Sequence, residues 1–173
     1  MALARCYARR IAMHTSPPMH PRTRTVFAIA FLALLAACSS GPKKVVNPPK
    51  ASIQQLAVQP DGRWQLTLRL QNFSNVSTAF AALDAKLYVG GEDAGQVQLT
   101  PGITVGPESA DVVTATLAPA VGAKVAVASA LASKRSVTYT FTGTIRTSEP
   151  KGAYTFTHDS NLDPAPGLPG VMR

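Results

Sequence analysis

Two runs of strict alternation limit what this chain can fold into more than any other feature. In WQLTLRLQ, residues 64–71, Trp64, Leu66, Leu68 and Leu70 fall on one side, and Gln65, Thr67, Arg69 and Gln71 on the other. In SVTYTFTGTIRT, residues 136–147, Val137, Tyr139, Phe141, Gly143 and Ile145 alternate with Thr138, Thr140, Thr142, Thr144 and Arg146. Successive side chains of a β-strand point to opposite faces, so period two means one dry face and one wet face. A parallel sheet covered on both sides would show solid apolar runs instead.

The rest of the chain from residue 51 follows the same grammar. Residues 52–59 read as a first strand, closed by the turn Pro60-Asp61-Gly62. Asn72, Ser74 and Asn75 end the second strand. Residues 80–89 alternate again, with Leu83, Ala85, Leu87 and Val89 on one side, and Gly90-Gly91-Glu92-Asp93 is a hairpin turn. Residues 96–100 return, 103–105 form a short edge piece, and 110–117 form a strand with Val113, Ala115 and Leu117 inward. Residues 119–133 change character: Val121, Val125, Ala128 and Leu131/Ala132 recur at helical spacing behind Pro119, which predicts one short helix with that stripe as its apolar face. Residues 152–158 read as a last strand, and DPAPGLPG is too rich in Pro and Gly for regular structure. The expected fold is all-β: an antiparallel sandwich of about seven strands with one short helix.

Residues 1–37 do not read as part of that fold. Arg22 and Arg24 precede VFAIAFLALLAA, residues 26–37, and a polar SSGPKK follows Cys38. A positive flank, a short apolar run and a small-residue boundary describe an export signal. The run is too short to span a bilayer, which takes about 20 apolar residues. Met19 and Met13 each open a complete signal, so either is the expected start of translation.

The boundary selects the export route. Ordinary cleavage prefers small residues in an A-x-A arrangement, and Leu35 is bulky. Leu35-Ala36-Ala37-Cys38 instead resembles the lipobox of bacterial lipoproteins. That resemblance implies that the Cys38 thiol is alkylated by a diacylglyceryl group, that the chain is cut just before it, and that the new amine is acylated. It also implies that Ser39, where Asp would favour inner-membrane retention, directs the product to the outer membrane, facing the periplasm. The partner so implied is the lipid bilayer itself. One acyl chain holds only marginally, whereas two or three hold durably. Residues 38–50, with SSGPKKVVNPPK after the cysteine, read as a Pro- and Lys-rich tether reaching about 35 Å if extended. Lys43 and Lys44 could meet anionic headgroups or simply be solvated.

Removing the signal changes what composition implies. The whole chain carries a net charge of +8, but five of its 17 Lys/Arg precede Cys38 and all nine Asp/Glu follow it. Twelve against nine leaves +3, with no basic block longer than a pair, and a nucleic-acid partner is not expected. Cys38 is then the only cysteine and His158 the only histidine. A disulfide and a Cys/His metal cluster lack their parts, and a Ser-His-Asp arrangement would have to use His158, whose flank Thr157-His158-Asp159 reads as a strand end rather than a catalytic base, so no catalytic residue, metal or cofactor is expected. Asp159-Ser160-Asn161-Leu162-Asp163 imitates the start of a calcium loop, but Pro164 and Gly170 stand where that loop needs Gly and Glu. Trp64 could stack a sugar ring, yet its register with Leu66, Leu68 and Leu70 assigns it to the core.

The order of parts carries a second resemblance. A strand ends in the Asn-rich corner Leu70-Gln71-Asn72-Phe73-Ser74-Asn75, a Gly-Gly hairpin and a Gly-Pro edge follow, and a helix leads into TYTFTGTI. This order is similar to the water-stress and hypersensitive-response (WHy) domain of the second group of late embryogenesis abundant proteins, over roughly residues 51–158. That family's corner is typically Asn-Pro-Asn; here Phe73-Ser74 stands between Asn72 and Asn75. The resemblance implies a seven-stranded immunoglobulin/fibronectin-III-like sandwich, followed by the Pro/Gly-rich tail 159–173. It implies no enzyme activity and a role in desiccation, osmotic or envelope stress. The expected activity is protection, or interaction with an envelope protein through a Thr/Gln-rich face. The alternative is a periplasmic module that binds a glycan or a hydrophobic solute.

Overall fold

The computed structural model describes Gly41 and residues 43–173. The signal segment 1–37, with its lipobox Leu35, Ala36 and Ala37, and the Cys38 and Ser39 positions lie outside the described residues. From Lys44 the chain forms one compact unit.

Its elements are β1 (Lys50–Val58), β2 (Trp64–Gln71), β3 (Thr78–Val89), β4 (Glu92–Leu99), β5 (Ile103–Val105), β6 (Ala110–Leu117), α1 (Val121–Ser133), β7 (Val137–Glu149), β8 (Lys151–Leu162) and β9 (Val171–Met172). One sheet runs β6-β2-β1-β9 and the other β4-β3-β7-β8, with β5 also on β3. All pairings are antiparallel. The two inner faces make an antiparallel β-sandwich, as the alternation predicts.

The strands' inward residues are those the alternation selects. Trp64, Leu66, Leu68 and Leu70 are all buried, facing Leu83, Leu87, Phe141 and Ile145 of the other sheet. A buried Leu or Phe of this kind contributes about 1.5–3 kcal/mol through loss of apolar surface to water. The β3–β4 hairpin turns on Gly90 and Gly91, whose φ angles of 61° and 83° are left-handed at both positions. Only such a turn matches the twist of the flanking strands, and glycine adopts it without a Cβ clash.

Four expectations need correction. The described residues hold nine strands rather than about seven. The last long strand continues through Asp159-Ser160-Asn161 to the fully buried Leu162, because every residue to that point pairs with β7. The Pro- and Gly-rich end is not without regular structure: β9 pairs Leu56↔Met172 and Ala57↔Val171 at the edge of β1, and Met172 is buried.

The fourth correction concerns α1. Its buried residues are Ala123, Val127 and Ala130, whereas Val121 and Val125 are 76% and 63% exposed. The helix therefore turns the two valines of its expected apolar stripe outward, while Leu131 is half-buried against the core. VGAKVAVASALAS is apolar on nearly every side, so spacing alone selects no face. Small side chains face the sandwich because the contact is close. Ala126 Cβ lies 3.0 Å from where a Cβ on Gly90 would stand. Pro119 precedes the N-cap, Ala120, rather than opening the helix, and Lys134 ends it in the left-handed conformation, its N–H donating to Ala130 and Leu131 carbonyls.

Candidate functional site

The end of the sandwich where β1 begins carries the densest polar arrangement. Asn72 follows β2 and is 1% exposed. Its Nδ2 donates to the carbonyls of Val76 at 2.8 Å, Gly106 at 2.8 Å and Val105 at 3.3 Å. Its Oδ1 accepts from the Ser74 N–H at 2.9 Å and the Thr78 hydroxyl at 3.0 Å. One side chain thus ties the loop after β2 to the start of β3 and to the end of β5.

The chain leading into β1 docks on this corner. Asn75 Oδ1 accepts from the Val45 N–H at 2.8 Å, and the Asn75 N–H donates back to the Val45 carbonyl at 3.2 Å. The Ser74 hydroxyl accepts from the Asn47 N–H at 3.0 Å and donates to its carbonyl at 3.2 Å, and Asn47 Nδ2 reaches the Phe73 carbonyl at 2.8 Å. Pro49 is buried. Residues 45–49 are therefore a clamp, not free tether, and only 39–44 remain between the clamp and Cys38. Val45, Val46 and Phe73 are left 45%, 45% and 39% exposed at this end.

The outer face of the second sheet is the Thr-rich surface. Thr142 pairs with Thr157 hydroxyl to hydroxyl at 2.9 Å, Thr140 donates to Asp159 Oδ1 at 2.6 Å, and Gln96 Nε2 donates to Asp84 Oδ1 at 2.6 Å. Lys86 and Asp93 form an ion pair at 3.2 Å. The Lys86 hydrogen bond lowers the Asp93 carboxyl below the usual range, and Asp93 raises Lys86 in return. Both side chains are about half exposed, so solvent screens the pair and it adds little to stability.

Beneath this face Tyr139 joins the two sheets. Its hydroxyl accepts from the Ile53 N–H at 3.2 Å and donates to the Ile53 carbonyl at 3.4 Å. Ile53 needs these partners because the β1–β2 register slips between Ile53 and Gln55. Burial pushes the Tyr139 hydroxyl above its ordinary pKa.

A third surface is a groove of about 950 Å³ between the end of α1 and the Pro-rich segment before β9. Leu131, Ala132, Pro164, Pro166 and Leu168 line it, with Lys134 and Asp163 among them.

The residues weighed for chemistry fall apart in space. His158 pairs across the strands with Phe141 and lies against the Tyr139 ring at 5.9 Å. Asp159 and Asn161 stand on β8, which runs to Leu162, and Asp163 just beyond it accepts from the Ser136 hydroxyl, so four of the five residues of the Asp-x-Asn-x-Asp run are strand, not loop. Among the described residues no group of three His, Cys, Asp or Glu is placed to hold a metal ion. Trp64 is 1% exposed and belongs to the core. The sequence marked Asn72 as a strand end within an Asn-rich corner, and showed neither its burial nor the clamp. The available signal was an Asn at a strand end followed by Ser74, Asn75 and Thr78, a cluster able to bond locally.

The fold defines a small antiparallel β-sandwich with one helix closing an end. No family model matches the chain, and no curated protein matches it. Solved structures do. An Arabidopsis thaliana protein aligns at 10% identity over 72% of this chain and 83% of its own, with a TM-score of 0.45. A candidate late embryogenesis abundant protein aligns at 12% identity over 85% and 89%, with a TM-score of 0.41. A protein from Archaeoglobus fulgidus aligns at 14% identity over 70% and 98%, with a TM-score of 0.39.

Proposed function

We propose that this chain is a bacterial lipoprotein, held on the outer membrane through acylated Cys38, whose non-catalytic sandwich faces the periplasm and protects envelope components under water or osmotic stress. The observation that carries the anchoring is the seam at Cys38. Arg22 and Arg24, the apolar run 26–37 and Leu35-Ala36-Ala37 all precede it, and the folded unit begins at Lys44. A thiol placed between an export signal and a folded body is where a lipid anchor leaves the domain intact.

The protective part rests on the chemistry of the sandwich. Asn72, Ser74, Thr78 and Thr147, its buried polar residues, all hydrogen-bond within the fold. Its outer Thr rows offer hydroxyls that can replace water around a neighbouring surface as hydration falls. The test is mass spectrometry of the exported protein with membrane fractionation of a Cys38→Ser variant. The expected product begins at Cys38 with a thioether-linked diacylglyceryl group, and the variant leaves the membrane fraction. A bare thiol with upstream peptide still attached overturns the reading. Cells lacking the protein should lose viability on drying, and the anchored wild type should restore it where the Cys38→Ser variant does not.

One observation favours a second reading, a module for a hydrophobic solute: the groove lined by Leu131, Pro164 and Leu168. The glycan form of that reading loses its platform, because Trp64 is buried. Saturable binding of a fluorescent fatty acid, weakened by Leu168→Asp, would select the solute reading.

A further inference from the structure

We infer that the clamp end of the sandwich, formed by Val45, Val46 and Phe73, is a docking face for the lipid bilayer surface, so that the domain sits on the membrane rather than swinging from it. The inference rests on the proposed anchoring at Cys38 and adds the orientation that the clamp imposes.

Chain length carries the argument. Hydrogen bonds from Asn75, Ser74 and Asn47 fasten the chain to the body from Val45 onward. Residues 39–44 are then all that separate the acylated position from the fold, seven steps from Cys38 to Val45 and a reach of at most about 25 Å fully extended. The clamp end must lie within that distance of the headgroups. The same end exposes two valines and a phenylalanine, on two segments that the Asn47 bond to the Phe73 carbonyl and the Val45 bond to Asn75 fasten to one another. These side chains are too small a patch to hold a free protein on a bilayer. Within a short tether the surface is presented at an effective concentration on the order of millimolar, which makes weak insertion sufficient. Lys43, Lys44 and Lys50 lie on the chain entering this end, with Glu108 bonded to Ser74 through its N–H. The docking proposed is the apolar contact of the valines and phenylalanine, the part that neutral lipid and high salt isolate from attraction to anionic headgroups.

The fold supplies its own reference point. Helix α1 packs at the opposite end, against the Gly90 turn and near Gly62, about 25 Å away along β2. Val121 on that helix is exposed and should point away from the lipid.

The experiment uses the full chain, exported and acylated in cells, then reconstituted into phosphatidylcholine vesicles that contain nitroxide-labelled lipid. Bimane is attached at Val46→Cys, at Phe73→Cys and, for comparison, at Val121→Cys. Because acylation occupies the Cys38 sulfur, each introduced thiol is the one that labels. Quenching at positions 46 and 73 should exceed that at 121 several-fold and persist at high salt, and Val45→Ser should reduce it at position 73. Equal quenching at all three positions, with Cys38 shown by mass spectrometry to be acylated, overturns the docking and leaves the anchoring standing. Quenching at 46 and 73 that disappears at high salt overturns the apolar mode. A bare Cys38 overturns both the docking and the reading beneath it.

Discussion

Asn72 and Tyr139 show how one side chain settles backbone that strand pairing leaves over. Asn72 holds three carbonyls with its amide nitrogen and two donors with its oxygen, all out of water. Asn72→Asp keeps the shape but sets a carboxylate oxygen against those carbonyls. Each buried group left unpaired costs about 1–3 kcal/mol, so a loss of about 3 kcal/mol or more is expected in urea unfolding. Tyr139 has a folded pKa raised by burial, so its neutral form is favoured in the fold. Its contribution is whole below the unfolded pKa of about 10 and is lost as pH rises through the higher folded value. Wild type should weaken above about pH 10 in thermal melts, and Tyr139→Phe should flatten that decline while costing about 1–2 kcal/mol at neutral pH, because Ile53 loses its partner. The sequence placed Tyr139 inward by alternation. That its hydroxyl would meet a register slip in another sheet was invisible, because the slip depends on how β1 settles against β2.

Among the elements, β7 was the easiest to read and α1 the hardest. Alternation from Val137 to Thr147 sorts buried from wet positions almost without exception, since a pleated strand has only two faces. Gly143 occupies an inward position of this strand for a steric reason. A Cβ there would stand 2.2 Å from the Asp84 carbonyl oxygen and 2.6 Å from Ala85 Cβ. Phe156, its partner on β8, is buried and meets Phe141 edge-on at 5.4 Å. Gly143→Ala should force β3 and β7 apart and cost about 1–3 kcal/mol, read as a lower urea midpoint with faster amide exchange in both strands. Helix α1 offers the contrary lesson. With apolar residues on all sides, its buried stripe is chosen by fit against the Gly90 turn, where Ala123 and Ala126 allow close approach and Val121 would not.

For the molecule as a whole, the arrangement at the clamp end sets how far the body stands from residue 38. Read from composition, SSGPKKVVNPPK is a free tether; in the fold its second half is fastened. Ser74→Ala removes both hydroxyl bonds to Asn47 and should speed amide exchange at Val45 and Asn47 while strand amides keep their protection. Global stability should fall by only about 1 kcal/mol, because Asn47 is exposed and water can replace the bonds. What the sequence by itself determined was the set of long strands and which of their residues face inward, because period-two patterning is a local property of the chain. Only the tertiary structure decided the outward turn of the valines on α1, the strand made from Val171 and Met172, the hub at Asn72 and the docking of residues 45–49. Each of these needs at least one partner distant in sequence, as Asn72 needs the Val105 and Gly106 carbonyls, and that partner is in place only once the two sheets have closed on one another.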